Sequence, residues 1–223
     1  MLVNGHEYEK GRAAATMPTD IFHITHIDNL AAIVAEGGLR CDREATERAL
    51  AKVGIAHKHI KERRAKRRVP IGPGGTFDDY VPFYFAPRSP MLFSINGGRV
   101  DGYSDGQRSV VHLVSSAEAV SAADAPFVFA DGHADMDLSE FFDDLDDLNK
   151  IDWKIMKAGY WADTDEDGDR KRRRQAEFLI HRFAAWSLVV KIGVLDTEMA
   201  ERVTEILGGA ETPLVSVERG WYY

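Results

Sequence analysis

The chain has a single cysteine, Cys41, in 223 residues. A lone thiol makes no internal disulfide and supplies no cysteine-based zinc site, so disulfide scaffolds, zinc ribbons and paired-thiol redox chemistry are excluded. It suits a reducing compartment, and a cytoplasmic location is expected. No stretch approaches the ~18 consecutive apolar residues that a membrane-spanning helix needs. Residues 1–20 carry acidic side chains and no apolar core, so neither a membrane span nor a secretory leader is expected. Familiar catalytic signatures are scarce as well. Gly72-Pro73-Gly74-Gly75 lacks the Lys-Ser/Thr of a phosphate-binding loop and reads as a turn, and no G-x-S-x-G nucleophile elbow occurs. Asp163 to Asp169 imitates the first half of a calcium-binding loop. That loop needs a bidentate glutamate at its twelfth position, where Arg174 stands, and Lys171 occupies the ninth. His57 and His59 flank one residue with no third ligand evident, so no metal is expected.

The composition is that of a folding chain: 44% hydrophobic residues, 29% charged and 22 aromatics spread along its length. The formal charge of −8 is unevenly placed. Asp131 to Asp169 holds 14 acidic residues against three lysines, a net of −11, which leaves +3 for everything else. Much of the positive charge falls in Lys58–Arg68 and Lys171–Arg174. Such segregation points to a phosphate-bearing partner on the basic side, with solvated helix faces as the alternative.

The hydrophobic pattern predicts an α+β fold. Strands are expected at 21–25, 81–85, 110–114, 127–129, 175–180, 187–194 and 214–217, with residues 91–95 readable as helix or strand. Asp28 is placed to cap a helix that ends at Gly37-Gly38. Asp42 is placed to cap a long helix through about Arg68, and Ser139 one that carries Phe141, Phe142, Leu145 and Leu148. A further amphipathic helix is expected over 197–207. Residues 1–19 read as an N-terminal arm and 20–223 as one domain.

Three segments carry candidate chemistry: His23-Ile24-Thr25 on a strand before a helix, Tyr84 on a second strand, and Glu177 at the mouth of a third, after four basic residues. Singly, each has an ordinary structural reading as core histidine, packed tyrosine or strand-end glutamate. Their order adds specificity. Together with His23-Ile24-Thr25-His26-Ile27-Asp28-Asn29-Leu30, Val81-Pro82-Phe83-Tyr84-Phe85-Ala86-Pro87-Arg88-Ser89-Pro90-Met91-Leu92, Arg174-Gln175-Ala176-Glu177-Phe178-Leu179 and Gly220-Trp221-Tyr222-Tyr223, it resembles the DarT family of DNA ADP-ribosyltransferase toxins, within the poly(ADP-ribose) polymerase-like superfamily.

The resemblance implies an ADP-ribosyltransferase-like split β-sheet core with flanking helices. It also implies cleavage of the nicotinamide–ribose bond of NAD, the substrate, and transfer of ADP-ribose to a base of single-stranded DNA, commonly thymine. A carboxylate suits that chemistry, since oxocarbenium character builds on the ribose as the bond breaks and a ribose hydroxyl then bonds more strongly to it. By the resemblance Glu177 takes this role, His23, Thr25 and the Ile24 backbone hold the ribose and carboxamide, and Tyr84 stacks on nicotinamide. Arg40 approaches NAD. Arg64 is the catalytic arginine, with Arg63 and Arg68 as alternatives, and Arg63, Arg67 and Arg68 follow the DNA. Trp153, Tyr160 and Trp161 read either as stacking platforms for bases or as core. The implied partner is a DarG-like macrodomain antitoxin. Open alternatives are a guanine, RNA or protein acceptor, plain NAD hydrolysis, and a non-catalytic nucleic-acid-binding module.

Overall fold

The computed structural model describes residues 17–208 and 213–223. The arm expected over 1–19 lies outside them except for its last three residues. In chain order the first elements are β1 (Asp20–His26), α1 (Leu30–Ala35), β2 (Gly38–Arg40), α2 (Asp42–Glu47), α3 (Lys58–Arg64), β3 (Tyr80–Tyr84) and α4 (Pro90–Asn96). Then come β4 (Val110–Ser116), α5 (Ala117–Ala122), β5 (Phe127–His133), β6 (Phe141–Phe142), α6 (Trp153–Lys157) and α7 (Arg170–Arg174). The chain finishes with β7 (Ala176–His181), β8 (Phe183–Ala185), β9 (Lys191–Val194), α8 (Thr197–Ile206) and β10 (Leu214–Val217). Among the described residues no helix is long and apolar enough to cross a membrane.

Eight strands form one sheet in the order β10-β9-β4-β1-β3-β7-β5-β6, and β2 pairs with β8 beside it. The expected split lies in the middle. β1 pairs with β4 from Asp20↔Ser116 to His26↔Val110, and β3 with β7 from Tyr80↔His181 to Tyr84↔Glu177, yet β1 and β3 meet only at Phe22↔Tyr84. A ladder holding at one rung lets the two halves diverge and opens a gap between them. The register aligns Phe22, Tyr84, Glu177 and Ala130 in one row across four strands.

β1 is buried along nearly its whole length, so alternation does not mark an inner and an outer face. Ile21 joins the larger core with Phe83, Leu113, Phe129 and Phe178, while Ile24 joins a second core with Leu92, Ile95, Val110 and Tyr222 beneath α4. Phe127 stacks on Phe178 at 4.8 Å, and Phe85 meets Phe178 edge-on at 6.1 Å. Such rings bury ~1.5–3 kcal/mol each.

Several expected elements differ. The helix expected from Asp42 to Arg68 is two short ones, because Ala49 takes φ 50° and the Asn29 side chain captures the backbone of Lys52 and Val53. Asp28 is not a cap: His26 Nδ1 accepts the Asp28 amide, and a 3-10 turn at Ile27–Asn29 precedes α1. Ser139 caps nothing, since its hydroxyl donates to the His133 carbonyl, and Phe141-Phe142 pair with Phe129-Ala130 as β6. Asp144 instead starts a 3-10 stretch at Leu145–Lys150. The strand expected over 187–194 shortens to β9 behind a 3-10 turn at Trp186–Leu188. Residues 91–95 are helical, with Ser89 as cap and Pro90 in the first turn.

The charge segregation also resolves. Arg172, almost buried, pairs with Asp131 and Asp169, and Arg173 with Asp152, Asp167 and Asp169. The basic run of α7 is thus the internal counterion of the acidic segment rather than a free polyanion surface. Arg174 turns inward and donates to the carbonyls of Ile155, Met156 and Arg88.

Candidate active site

The gap in the sheet is the mouth of a cleft of about 440 Å³. His23, Ile24, Thr25, Arg40, Arg64, Tyr84 and Glu177, all singled out from the sequence, line it. Glu177, the second residue of β7, stands opposite Tyr84 with only 4% of its surface exposed. Its Oε2 accepts a hydrogen bond from Arg64 Nη1 at 2.8 Å, a buried, charge-assisted contact. Burial alone pulls the Arg64 pKa down, but the charge and hydrogen bond of Glu177 outweigh it, and the net shift is upward. The guanidinium therefore stays charged, packed over the Phe77 ring at 5.4 Å, and its Nη2 is buried with no hydrogen-bond partner among the described residues. A buried unpaired donor in a cleft is a place for a ligand acceptor.

His23 Nδ1 lies 2.8 Å from the Pro82 carbonyl, which can only accept, so Nδ1 carries the proton. Burial lowers the His23 pKa, against that hydrogen bond, which keeps the ring neutral with Nε2 as an acceptor. Thr25, two residues on, shares its face of β1. The Tyr84 phenol is pushed upward by burial and by the Glu177 charge, so it remains protonated. Arg40 stacks on Phe183 at 4.4 Å and pairs with Glu36 and Glu44.

The remaining expectations divide. Arg63 and Arg67 are outside the cleft. Arg63 Nε donates to Asp135, and Arg67 donates to the Asp135 carbonyl and, at 2.8 Å, to Asp137. Arg68 is exposed and its backbone bridges to Thr76. Trp153 is half-buried against the larger core, with Nε1 donating to the Leu148 carbonyl and its ring edge-on to Phe85. Trp161 is half-buried against Phe93 and Tyr223, and Tyr160 is exposed. Cys41 is buried and its thiol pKa is raised by burial, which leaves it unreactive. Among the described residues no group of three or more His, Cys, Asp or Glu is arranged around a metal position.

Two residues that the sequence reading gave no role belong to the site. His133, at the end of β5, lines the cleft with Nδ1 3.8 Å from Glu177 Oε1. Its pKa is lowered, chiefly by burial, and Nδ1 accepts the Asp135 amide, so the neutral ring carries its proton on Nε2. Asn29 donates to Thr25 Oγ1 and the Val53 carbonyl and accepts from the Lys52 and Val53 amides, which ties β1 to the opposite wall of the cleft.

A family model described as ssDNA thymidine ADP-ribosyltransferase, DarT, matches residues 22–223. The DNA ADP-ribosyl transferase of Thermus sp. (strain 2.9) is 43% identical over 209 residues, 92% of this chain and 97% of its own. That of Escherichia coli O127:H6 is 35% identical over 91% of this chain and 93% of its own. The fold is similar to that of Thermus sp. 2.9 DarT in complex with ADP-ribosylated ssDNA, at TM-score 0.86 and 42% identity over 92% of this chain and 97% of that one. It is also similar to the same protein in complex with NAD+, at TM-score 0.83 and 39% identity over 94% and 100%. With a family model spanning residues 22–223 and relatives of this identity matched over nearly their full lengths, the chain belongs to the DarT family of DNA ADP-ribosyltransferases.

Proposed function

We propose that this chain uses NAD to ADP-ribosylate a thymine base in single-stranded DNA, as the toxin of a toxin–antitoxin or phage-defence pair whose partner is a DarG-like macrodomain antitoxin. The observation that carries the reading is the buried Arg64–Glu177 contact at 2.8 Å, set in a cleft whose other wall presents His23 and Thr25. The cleft suits NAD on three counts. Tyr84 offers an aromatic face to the nicotinamide ring. His23 Nε2 is left as an acceptor for a ribose hydroxyl. The unpaired Arg64 Nη2 is left as a donor for an acceptor atom of NAD or of the base.

In this reading the nicotinamide–ribose bond breaks and nicotinamide leaves with the bonding electron pair. Glu177 accepts a hydrogen bond from a ribose hydroxyl that strengthens as positive charge builds on the ring, which lowers the barrier. A nitrogen of the base attacks the anomeric carbon, and the proton it loses is released toward the Arg64–Glu177 pair. A raised arginine pKa makes Arg64 an electrostatic guide rather than a free base, so the carboxylate beside it is the better proton acceptor. The exposed guanidinium of Arg68 supports a phosphate contact outside the cleft, while Arg63 and Arg67 reach the DNA only with part of their charge already paired.

The test is to incubate the protein with NAD and a mixed set of single-stranded oligonucleotides, following nicotinamide release and DNA mass. A gain of one ADP-ribose that fragments to thymine and disappears in Glu177→Ala is the expected result. Nicotinamide release without a DNA adduct moves the acceptor to another molecule, and fragmentation at guanine moves it to another base.

A further inference from the structure

No whole residue of α3 is fully buried, although the helix delivers the buried Arg64 guanidinium to the cleft. Its apolar packing is slight, with Ile60 half-buried and Arg64 over the Phe77 ring, so polar anchors carry much of its placement. One anchor is Lys61 to Asp42 at 2.5 Å, and the others converge on the loop between β5 and β6. There Asp135 has a fully buried side chain, 0% exposed, two residues before Asp137 at 98%. A carboxylate so placed is strongly disfavoured unless it is paired. Its Oδ2 accepts from Arg63 Nε, its carbonyl accepts from Arg67 Nη1, and its amide donates to His133 Nδ1 at 3.2 Å.

α3 ends at Arg64, but the Arg67 amide still donates to the Arg63 carbonyl at 3.1 Å, so one further backbone turn holds Arg63 and Arg67 together with Arg64 between them. Two bonds to one residue, a turn apart, fix both the rotation and the advance of that turn. Asp135 Oδ1 is buried without a hydrogen bond, 3.7 Å from Arg67 Nη1, so a shift of about 1 Å would complete a third.

We infer that Asp135 is a positioning residue: by clamping Arg63 and Arg67 it sets Arg64 against Glu177, so that part of the charge of these two arginines serves the placement of Arg64 rather than DNA. The inference rests on the proposed reaction. It also gives the Asp135–Asp137 part of the acidic segment a role, since that part anchors the helix that brings the arginine.

The experiment compares wild type, Asp135→Asn, Arg63→Gln and the double variant, with circular dichroism and melting used to establish that each is folded at the assay temperature. For Asp135→Asn we expect kcat for DNA modification to fall roughly 10- to 100-fold, as a misplacement near 1 Å costs, with KM for NAD little changed. Arg63→Gln should lower kcat as well, and the double variant should lose no more than Asp135→Asn alone, because the two act as one unit. A folded Asp135→Asn with wild-type kcat overturns the inference. So does additive loss, or an Arg63→Gln effect confined to DNA affinity and its salt dependence, which marks a phosphate contact instead. A crystal structure of Asp135→Asn decides the placement without turnover: Arg64 should no longer reach Glu177, and an unchanged contact refutes the clamp. If wild type itself makes no DNA adduct, the proposed reaction fails while the crystal result still judges the clamp.

Discussion

Asn29 spends every donor and acceptor of its amide on the frame of the cleft: Thr25 Oγ1 at 3.2 Å, the Val53 carbonyl at 2.8 Å, and the Lys52 and Val53 amides at 2.8 and 3.0 Å. Truncating it strands backbone groups of a segment that contributes Leu50, Ala51, Val53 and Gly54 to the cleft wall. Asn29→Ala should therefore raise KM for NAD about tenfold, from the ~1–3 kcal/mol cost of unsatisfied groups, with a smaller change in kcat. Steady-state kinetics at varied NAD tests this, and an unchanged KM would show that the wall holds without Asn29. The Arg64–Glu177 pair behaves differently, because a buried charge that loses its partner is penalised by ~3–5 kcal/mol. Arg64→Ala should thus unfold earlier in denaturant as well as lose activity, and adding Glu177→Gln to it should recover part of the stability but none of the turnover. Glu177, Tyr84 and His23 were legible in the sequence because each sits in a local pattern of strand and flanking motif. His133 and Asp135 were not: their neighbours in the site, Glu177 and Arg63, are 44 and 72 positions away, and no local pattern encodes those meetings.

Among elements, the small β2–β8 pair closes the cleft wall and depends on a glycine. Gly38 has φ +152°, pairs with Ala185, and an added Cβ would lie 2.2 Å from the Ala184 carbonyl oxygen. No flexible side chain can yield there, so Gly38→Ala should part the two strands. We expect a loss of about 2–4 kcal/mol, or roughly 5–15 °C in Tm for a chain of this size. Gly106→Ala is the control, since Gly106 also has positive φ, +67°, but nothing within 4 Å of a new Cβ, and backbone strain alone should cost about 1 kcal/mol. Equal shifts in both would mean that the close approach of β8 contributes nothing. β1, β3, β4, β7, α8 and β10 lie within two residues of where the sequence places them, because each is a compact apolar or amphipathic stretch. It misplaced the helix expected over 42–68 because its alanine spacing looks helical, while Asn29, far upstream, competes for the backbone at Lys52 and Val53. Phe141 and Phe142 suit a helix face or a strand equally, and pairing with β5 decides.

At the scale of the molecule, the basic run of α7 is paired internally among the described residues, and the buried imidazoles show what burial does in acid. His112, fully buried on β4, has Nε2 3.0 Å from the Pro87 carbonyl and Nδ1 3.2 Å from the hydroxyl of Tyr222 in the second core, and so ties the sheet to the last described residues. Burial, only partly offset by the Pro87 carbonyl, lowers its pKa from 6.5 to about 4. Between those values the unfolded chain binds a proton that the folded chain refuses. The stability tied to His112 is therefore complete above pH 6.5 and drains away as pH falls toward 4, by up to about 3 kcal/mol. His23 and His133, also depressed by burial, act in the same direction, and carboxylates add their own titration at the lower end. A comparison with His112→Asn separates the one contribution from the rest. The variant gives up hydrogen bonds at pH 7.5 but has no proton to gain, so the gap in urea midpoint between it and wild type should narrow steadily from pH 7 to 4.5. A constant gap would mean that His112 takes up its proton in the folded state as readily as in the unfolded chain.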